Sequence, residues 1–243
     1  MLPETDGDSA YSAAMLLHSH LALQGVDNLA AASYWSVSDI FDESGVDATP
    51  WHNGYGIQTV HGTPKPVYRA FQFLAGLSPN AAPVQFPQLA RPGMPVVQRR
   101  GSASAGALDV MVAVDTSDAP AAIHVTALVV SFDWWNATLP NENVSLVFLG
   151  IPASATLPSA ATLERIDSTH ANGRAAWRAA GSPLYPTRAQ LAAELQASTL
   201  VQEGLPLTRT PNGVRVDLPP LEPFSSARVR FSFSTVEAAV VAV

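Results

Sequence analysis

The chain has 243 residues, 47% hydrophobic and 14% charged, which is enough to bury a sizeable core as one large or two ordinary domains and too apolar for wholesale disorder. Its 20 acids against 13 bases give a net charge of −7 with no basic block, which disfavours a nucleic-acid partner because phosphate neutralisation takes clustered Lys and Arg. The absence of cysteine excludes disulfides, thiolate nucleophiles and cysteine-ligated zinc, and the longest apolar runs, such as Ala238–Val243, are far too short to span a bilayer.

Residues 1–8 carry neither the basic region nor the apolar stretch of a signal peptide. A helix is expected from Ser9, capped by Asp8, because a carboxylate there can accept unpaired first-turn N–H groups. Tyr11, Ala14, Met15, His18 and Ala22 recur at helical spacing, and Gly25 is a plausible stop. Ala30–Val37, containing Tyr34 and Trp35, is mostly apolar without alternation. That pattern predicts a strand buried on both faces, as in parallel barrels. After a Gly-rich loop at Trp51–Gly56, Pro66 suits the first position of a second helix. Val67, Ala70, Phe71 and Leu74 form its apolar face, and Gly76 ends it. Helix, strand, loop, helix is the rhythm of the last unit of a β/α fold.

Residues 78–95 are rich in proline and small residues, which sets a domain boundary near residue 80 and divides the chain into 1–80 and 81–243. Beyond it, period-two alternation predicts strands at 108–115, 214–218 and 228–233. Further strands are expected at Ile123–Phe132, Val144–Leu149 and Thr162–Ile166. Six short strands separated by turns argue for an antiparallel sandwich, interrupted by one helix at Arg188–Gln196 capped by Thr187.

The segment Ser33–Glu43 (Ser-Tyr-Trp-Ser-Val-Ser-Asp-Ile-Phe-Asp-Glu) runs an aromatic strand into a carboxylate cluster. A flat ring under a pyranose and acids for its hydroxyls is what a sugar site uses; composition alone equally fits core aromatics beside a solvated loop. This segment resembles the Tyr-Trp-Thr-Phe-Ser-Asp-Ile-Phe-Glu-Glu stretch of glycoside hydrolase family 39, the β-xylosidases and α-L-iduronidases. The resemblance continues through Pro50–Gly56 and His61–Phe71. It resumes at Arg165-Ile166-Asp167, His170, Asn172, Trp177, Gly181-Ser182-Pro183, Pro186-Thr187 and Gln190.

The resemblance implies the end of a (β/α)₈ barrel followed by a β-sandwich, no cofactor and no metal. It also implies a carbohydrate partner with a xylan- or glycosaminoglycan-type terminal sugar. The family's retaining mechanism places two glutamates about 5–5.5 Å apart across the glycosidic bond. Those glutamates belong to segments ahead of the helix near Ser9. A whole barrel takes about 250 residues and only some 80 precede the boundary, so no catalytic residue is assigned and the chain alone is expected to be inactive. Trp35, Asp42 and Glu43 match the substrate subsite, with Asp42 one methylene shorter than the usual glutamate. His52 is the fourth expected contact if it reaches the barrel mouth; the other reading makes it a loop hydrogen-bonding group, like His61.

His18 and His20 face different ways on a helix and do not form a metal site. Trp134-Trp135 reads either as a lectin-like platform or as one ring in and one ring out at a strand end. Asp167, His170 and Asn172 read as a turn packed beside Trp177. The sequons at Asn136 and Asn143 hint at secretion or a lysosome-like destination. The competing functional reading is a non-catalytic carbohydrate-binding or accessory sandwich.

Overall fold

The computed structural model describes residues 4–23, 26–41, 45–77, 108–119, 121–135 and 139–235. The expected boundary near residue 80, the stop at Gly25 and the Asn136 sequon lie outside the described residues.

Eight strands form two antiparallel sheets. They are β1 (Leu108–Asp115), β2 (Ile123–Ser131), β3 (Ser145–Leu149), β4 (Ala160–Ile166), β5 (Glu203–Pro206), β6 (Thr208–Thr210), β7 (Gly213–Asp217) and β8 (Ser226–Phe233). One sheet has the order β1-β2-β8-β4-β5 and the other β3-β7-β6. The alternation in the sequence decides which side chains meet. Val112, Val125, Val129, Leu163, Val229 and Phe231 of the large sheet share a buried core with Leu146, Phe148, Val214 and Val216 of the small one. All six expected strands are present; β5 and β6 carry no signal in the sequence, being short and without a buried residue, and β5 ends in Pro206.

The opposite face of the large sheet is covered by the helices α1 (Ala10–Leu23) and α2 (Pro66–Ala75). Ala13, Ala14 and Leu17 from α1 and Ala70 and Phe73 from α2 pack on Met111, Leu128, Val130 and Ile166. The small residues on α1 let its backbone lie close to the sheet. Tyr11 rests edge-on against Phe224 and tilts against Phe132, with ring centroids 5.1 and 5.3 Å away. Arg228, on this face of β8, ion-pairs with Glu164 of β4 at 2.7 Å and lies 4.7 Å over the Phe73 ring. Its guanidinium also donates to the Gln72 carbonyl at the end of α2, so one buried cation satisfies a carboxylate and a helix terminus together.

Two helices sit between β4 and β5: α3 (Gly173–Ala179) and α4 (Arg188–Ala197). In α4 the Thr187 hydroxyl accepts from the Gln190 amide, the cap expected there, and the Gln190 side chain returns the bond by accepting from the Thr187 amide. Helix α3 was read only as a turn. Its start is fixed by Asn172, whose side chain accepts from Ala175 N–H. Ahead of it, the Asp167 carboxylate accepts from the Thr169 and His170 amides. Burial pushes the Asp167 carboxyl up, but these donors and the His170 ring outweigh it and hold it below the ordinary value.

Two local expectations need correction. Ala30–Val37 is not a strand: among the described residues no ladder forms along it, and Ala30–Ser33 are exposed. A strand needs a neighbour for its N–H and C=O groups, and only Ser36 finds one here, donating to Tyr55 O and accepting from Ile57 N. Asp8 does not cap α1. Its carboxylate turns away from the first helical turn toward Asn53 and Lys65, and the Ser12 amide bonds to the Ser9 carbonyl instead.

Candidate functional site

The chain segments ahead of and between the two helices converge on a buried ammonium. Lys65, the residue before α2, is 0% exposed, as are Asp8 before α1 and Asp39 in a 3₁₀ turn (Asp39–Phe41). The Lys65 Nζ lies 2.6 Å from Asp8 Oδ1, 2.8 and 2.7 Å from Asp39 Oδ1 and Oδ2, and 3.0 Å from the Gly54 carbonyl. The remaining acceptors are used by loop backbone: Asp8 Oδ2 takes the Asn53 amide and Asp39 Oδ1 takes the Gly56 amide, both at 2.8 Å. Two carboxylates around one ammonium leave an excess negative charge in the interior. Burial holds the Asp39 carboxyl above its ordinary value despite the opposing pull of Lys65 and the Gly56 amide.

This network fixes the loop at 51–56. A Cβ on Gly56 would lie 2.2 Å from Asp39 N, and one on Gly54 would lie 2.6 Å from Asp39 Oδ1, so both positions require glycine for close approach. Asn53 adopts φ of 65°, which turns the chain so that its amide faces Asp8. The loop is anchored at its start by Trp51, whose indole Nε1 donates 3.1 Å to the buried Glu194 of α4. Burial raises the Glu194 carboxyl against that hydrogen bond. Arg69 adds a second tie, donating to the Ser198 carbonyl after α4 at 2.5 Å.

On this platform the expected site residues separate. Trp35 is 65% exposed, its ring free of the core, beside exposed Val37, Ile40, Phe41 and Tyr55. Tyr34, its neighbour, turns inward and meets Phe71 edge-on at 5.7 Å. Burial, then Asp39 and Asp8, push the Tyr34 phenol up. His52 is only 10% exposed, with Nε2 3.6 Å from Asp39 Oδ2, so its ring is packed against the buried network. Asp42 and Glu43 lie outside the described residues. The chemistry available at this surface is an exposed indole face and a fixed loop, which suits binding and orientation.

Five of the six described glutamates are engaged elsewhere. Glu4 pairs with Arg174 and Arg178, Glu164 with Arg228, Glu203 with Arg165, Glu194 accepts from Trp51, and Glu222 accepts from the Ser168 amide. Glu142 is buried at the bridge to Leu221. No cluster of His, Asp or Glu among the described residues has metal-binding geometry. Trp134 and Trp135 divide as one half-exposed ring, edge-on to Phe132 at 4.9 Å, and one ring 94% exposed.

The anchoring triad of Asp8, Asp39 and Lys65 was not anticipated. Asp39 and Lys65 stand inside the motifs that carry the family resemblance, yet nothing in their spacing announces that they meet. Asp8 was visible only as a polar residue before a helix.

The family model of glycosyl hydrolases family 39 matches residues 2–211. A β-xylosidase of Caldicellulosiruptor saccharolyticus is 28% identical over 196 residues, covering 81% of this chain and 35% of that protein. A β-xylosidase of Geobacillus stearothermophilus is 26% identical over 185 residues, covering 74% and 29%. Among solved structures, a family 39 β-xylosidase from Caulobacter crescentus superposes with a TM-score of 0.61 at 21% identity, over 95% of this chain and 41% of that one. The family 39 enzyme of Xanthomonas axonopodis pv. citri gives 0.60 at 20% identity, over 95% and 42%. The chain therefore spans about a third of the length of the curated relatives it matches. With that match over most of its length, the chain belongs to glycosyl hydrolases family 39.

Proposed function

We propose that this chain is the C-terminal portion of a retaining family 39 glycosidase of the β-xylosidase type. In this reading residues 1–80 supply the last β/α part of a (β/α)₈ barrel and residues 81–243 a β-sandwich with an inserted helical segment. The observation that carries it is the exposed Trp35 indole, held beside the loop that Lys65 fixes, within a chain matched by the family model over residues 2–211. Trp35 offers a flat face to the ring of a terminal sugar, Asp42 and Glu43 accept from its hydroxyls, and His52, braced by Asp39, stands at the margin of the subsite.

Bond cleavage needs one carboxylic acid to protonate the leaving oxygen and one carboxylate to attack the anomeric carbon from the other side. In this reading the two catalytic glutamates lie in segments outside this chain, and among the described residues each glutamate is ion-paired, hydrogen-bonded or buried. The xylosidase type is preferred to the iduronidase type because the curated relatives bear the former name. The test compares this chain with a chimera in which the preceding part of a family 39 β-xylosidase is joined ahead of it. The substrates are p-nitrophenyl β-D-xyloside and 4-methylumbelliferyl α-L-iduronide. The chimera should cleave the xyloside and this chain alone should not; Trp35→Ala in the chimera should raise KM more than it lowers kcat. Cleavage by the isolated chain at the chimera's rate would overturn the assignment of the glutamates.

A further inference from the structure

A concavity of about 810 Å³, which Trp35 does not line, lies where the start of α1 meets the turns before α3 and β8. Its apolar wall is built from the Tyr11 and Phe224 rings, in edge-to-face contact at 5.1 Å, with Leu139 and Pro223 beside them. Phe224 is buried and holds a positive φ of 55°, so the turn before β8 is shaped to aim this ring at Tyr11. The polar lining is of a different kind from the Lys65 network. The Asn141 amide and the Ser168 hydroxyl are exposed to solvent at its mouth, and among the described residues neither they nor the Tyr11 hydroxyl hold a protein hydrogen-bond partner. Glu222 uses Oε2 on the Ser168 amide at 3.1 Å and keeps Oε1 for another donor.

The charges at the rim largely cancel. Glu4 is held by Arg174 and Arg178, and Arg174 also takes Asp6 at 2.6 Å. A site with aromatic and aliphatic walls, several neutral donors and acceptors without partners, and one carboxylate oxygen to spare matches a neutral polyol better than an anion, a cation or a peptide. The Tyr11 ring is braced from behind by the fully buried Phe132 at 5.3 Å, which fixes the apolar wall in place.

We propose that this cavity is a second carbohydrate site, binding neutral oligosaccharide and reading hydroxyls through Tyr11, Asn141, Ser168 and Glu222. The choice of oligosaccharide rests on the glycosidase reading above; the site itself is independent of Trp35. It would tether a polymer while its terminal sugar is presented at Trp35.

The test titrates xylohexaose into the whole chain by calorimetry and heteronuclear NMR, with tetragalacturonate as an anionic comparison. Binding should perturb the amides of residues 9–11, 141 and 168. Asn141→Ala and Tyr11→Phe should each weaken it at least threefold, while Trp35→Ala should leave it within a factor of two. Both pocket substitutions leave the ring packing in place, so folding is preserved and checked by the same spectra. The proposal is overturned if xylohexaose gives no perturbation at these residues, if Trp35→Ala alone abolishes binding, or if tetragalacturonate binds as well. Cleavage by the chimera alongside any of those results would defeat this site and leave the glycosidase reading standing; pocket binding with an inactive chimera would do the reverse.

Discussion

Lys65→Met isolates the interaction that fixes the candidate site. The methionine side chain fills much of the volume of the lysine stem but removes the ammonium from Asp8 and Asp39, both 0% exposed, and from the Gly54 carbonyl. Removing one partner of a buried ion pair costs about 3–5 kcal/mol, because the remaining charge stays out of water without compensation. Each kcal/mol shifts Tm by about 2–4 °C in a chain of this size, so a fall of about 6–20 °C is expected. The loss should shrink on acidification. Without the ammonium the Asp39 carboxyl, already held up by burial, rises further, so proton uptake there stabilises the folded form at low pH, and this contribution disappears as pH rises through the folded value. Urea unfolding of both proteins, followed by tryptophan fluorescence between pH 5 and pH 8, measures the effect. A loss below about 1 kcal/mol, or one that does not change with pH, would show that the Asp8–Lys65–Asp39 cluster does not hold the loop, since a fully solvated pair contributes only about that much.

Three further outcomes follow from the same geometry. Gly56→Ala places a methyl 2.2 Å from Asp39 N and 2.3 Å from the Ser38 carbonyl carbon, both backbone, so a destabilisation of about 1–3 kcal/mol is expected in thermal unfolding, whereas Gly62→Ala, with open space around it, should cost mainly its positive-φ strain. Glu194→Gln keeps an acceptor for Trp51 but cannot ionise. The wild-type carboxyl, raised by burial, contributes stability that is full below its unfolded value and is lost as pH rises through the folded one, so the variant should gain on wild type between pH 5 and pH 8, and a difference independent of pH would contradict this. In hydrogen exchange, amides of Val125–Val130 should be slow and those of Ala30–Trp35 fast, with Ser36 an exception because it donates to Tyr55; uniform slow exchange through 30–37 would show that a ladder forms there.

The sequence by itself determined those elements whose signal is local. Period-two alternation marks β1, β7 and β8, because each strand buries one face against the opposing sheet and turns the other to helices or solvent. Thr187 marked the start of α4, and Pro66 with Gly76 the two ends of α2, since caps act within one turn. The motif around Trp35 and the one at Pro50–Gly56 carried the family. Tertiary structure decided what depends on a distant partner. The apolar run at Ala30–Val37 has strand composition but among the described residues finds no neighbour along it, and hydrogen bonding between strands is not encoded in one strand alone. Asp8 looks like a helix cap until Lys65, 57 positions later in the sequence, presents a stronger partner from a buried position. Charges sequestered from water must find each other wherever the chain brings them, and only the assembled fold sets which ones meet.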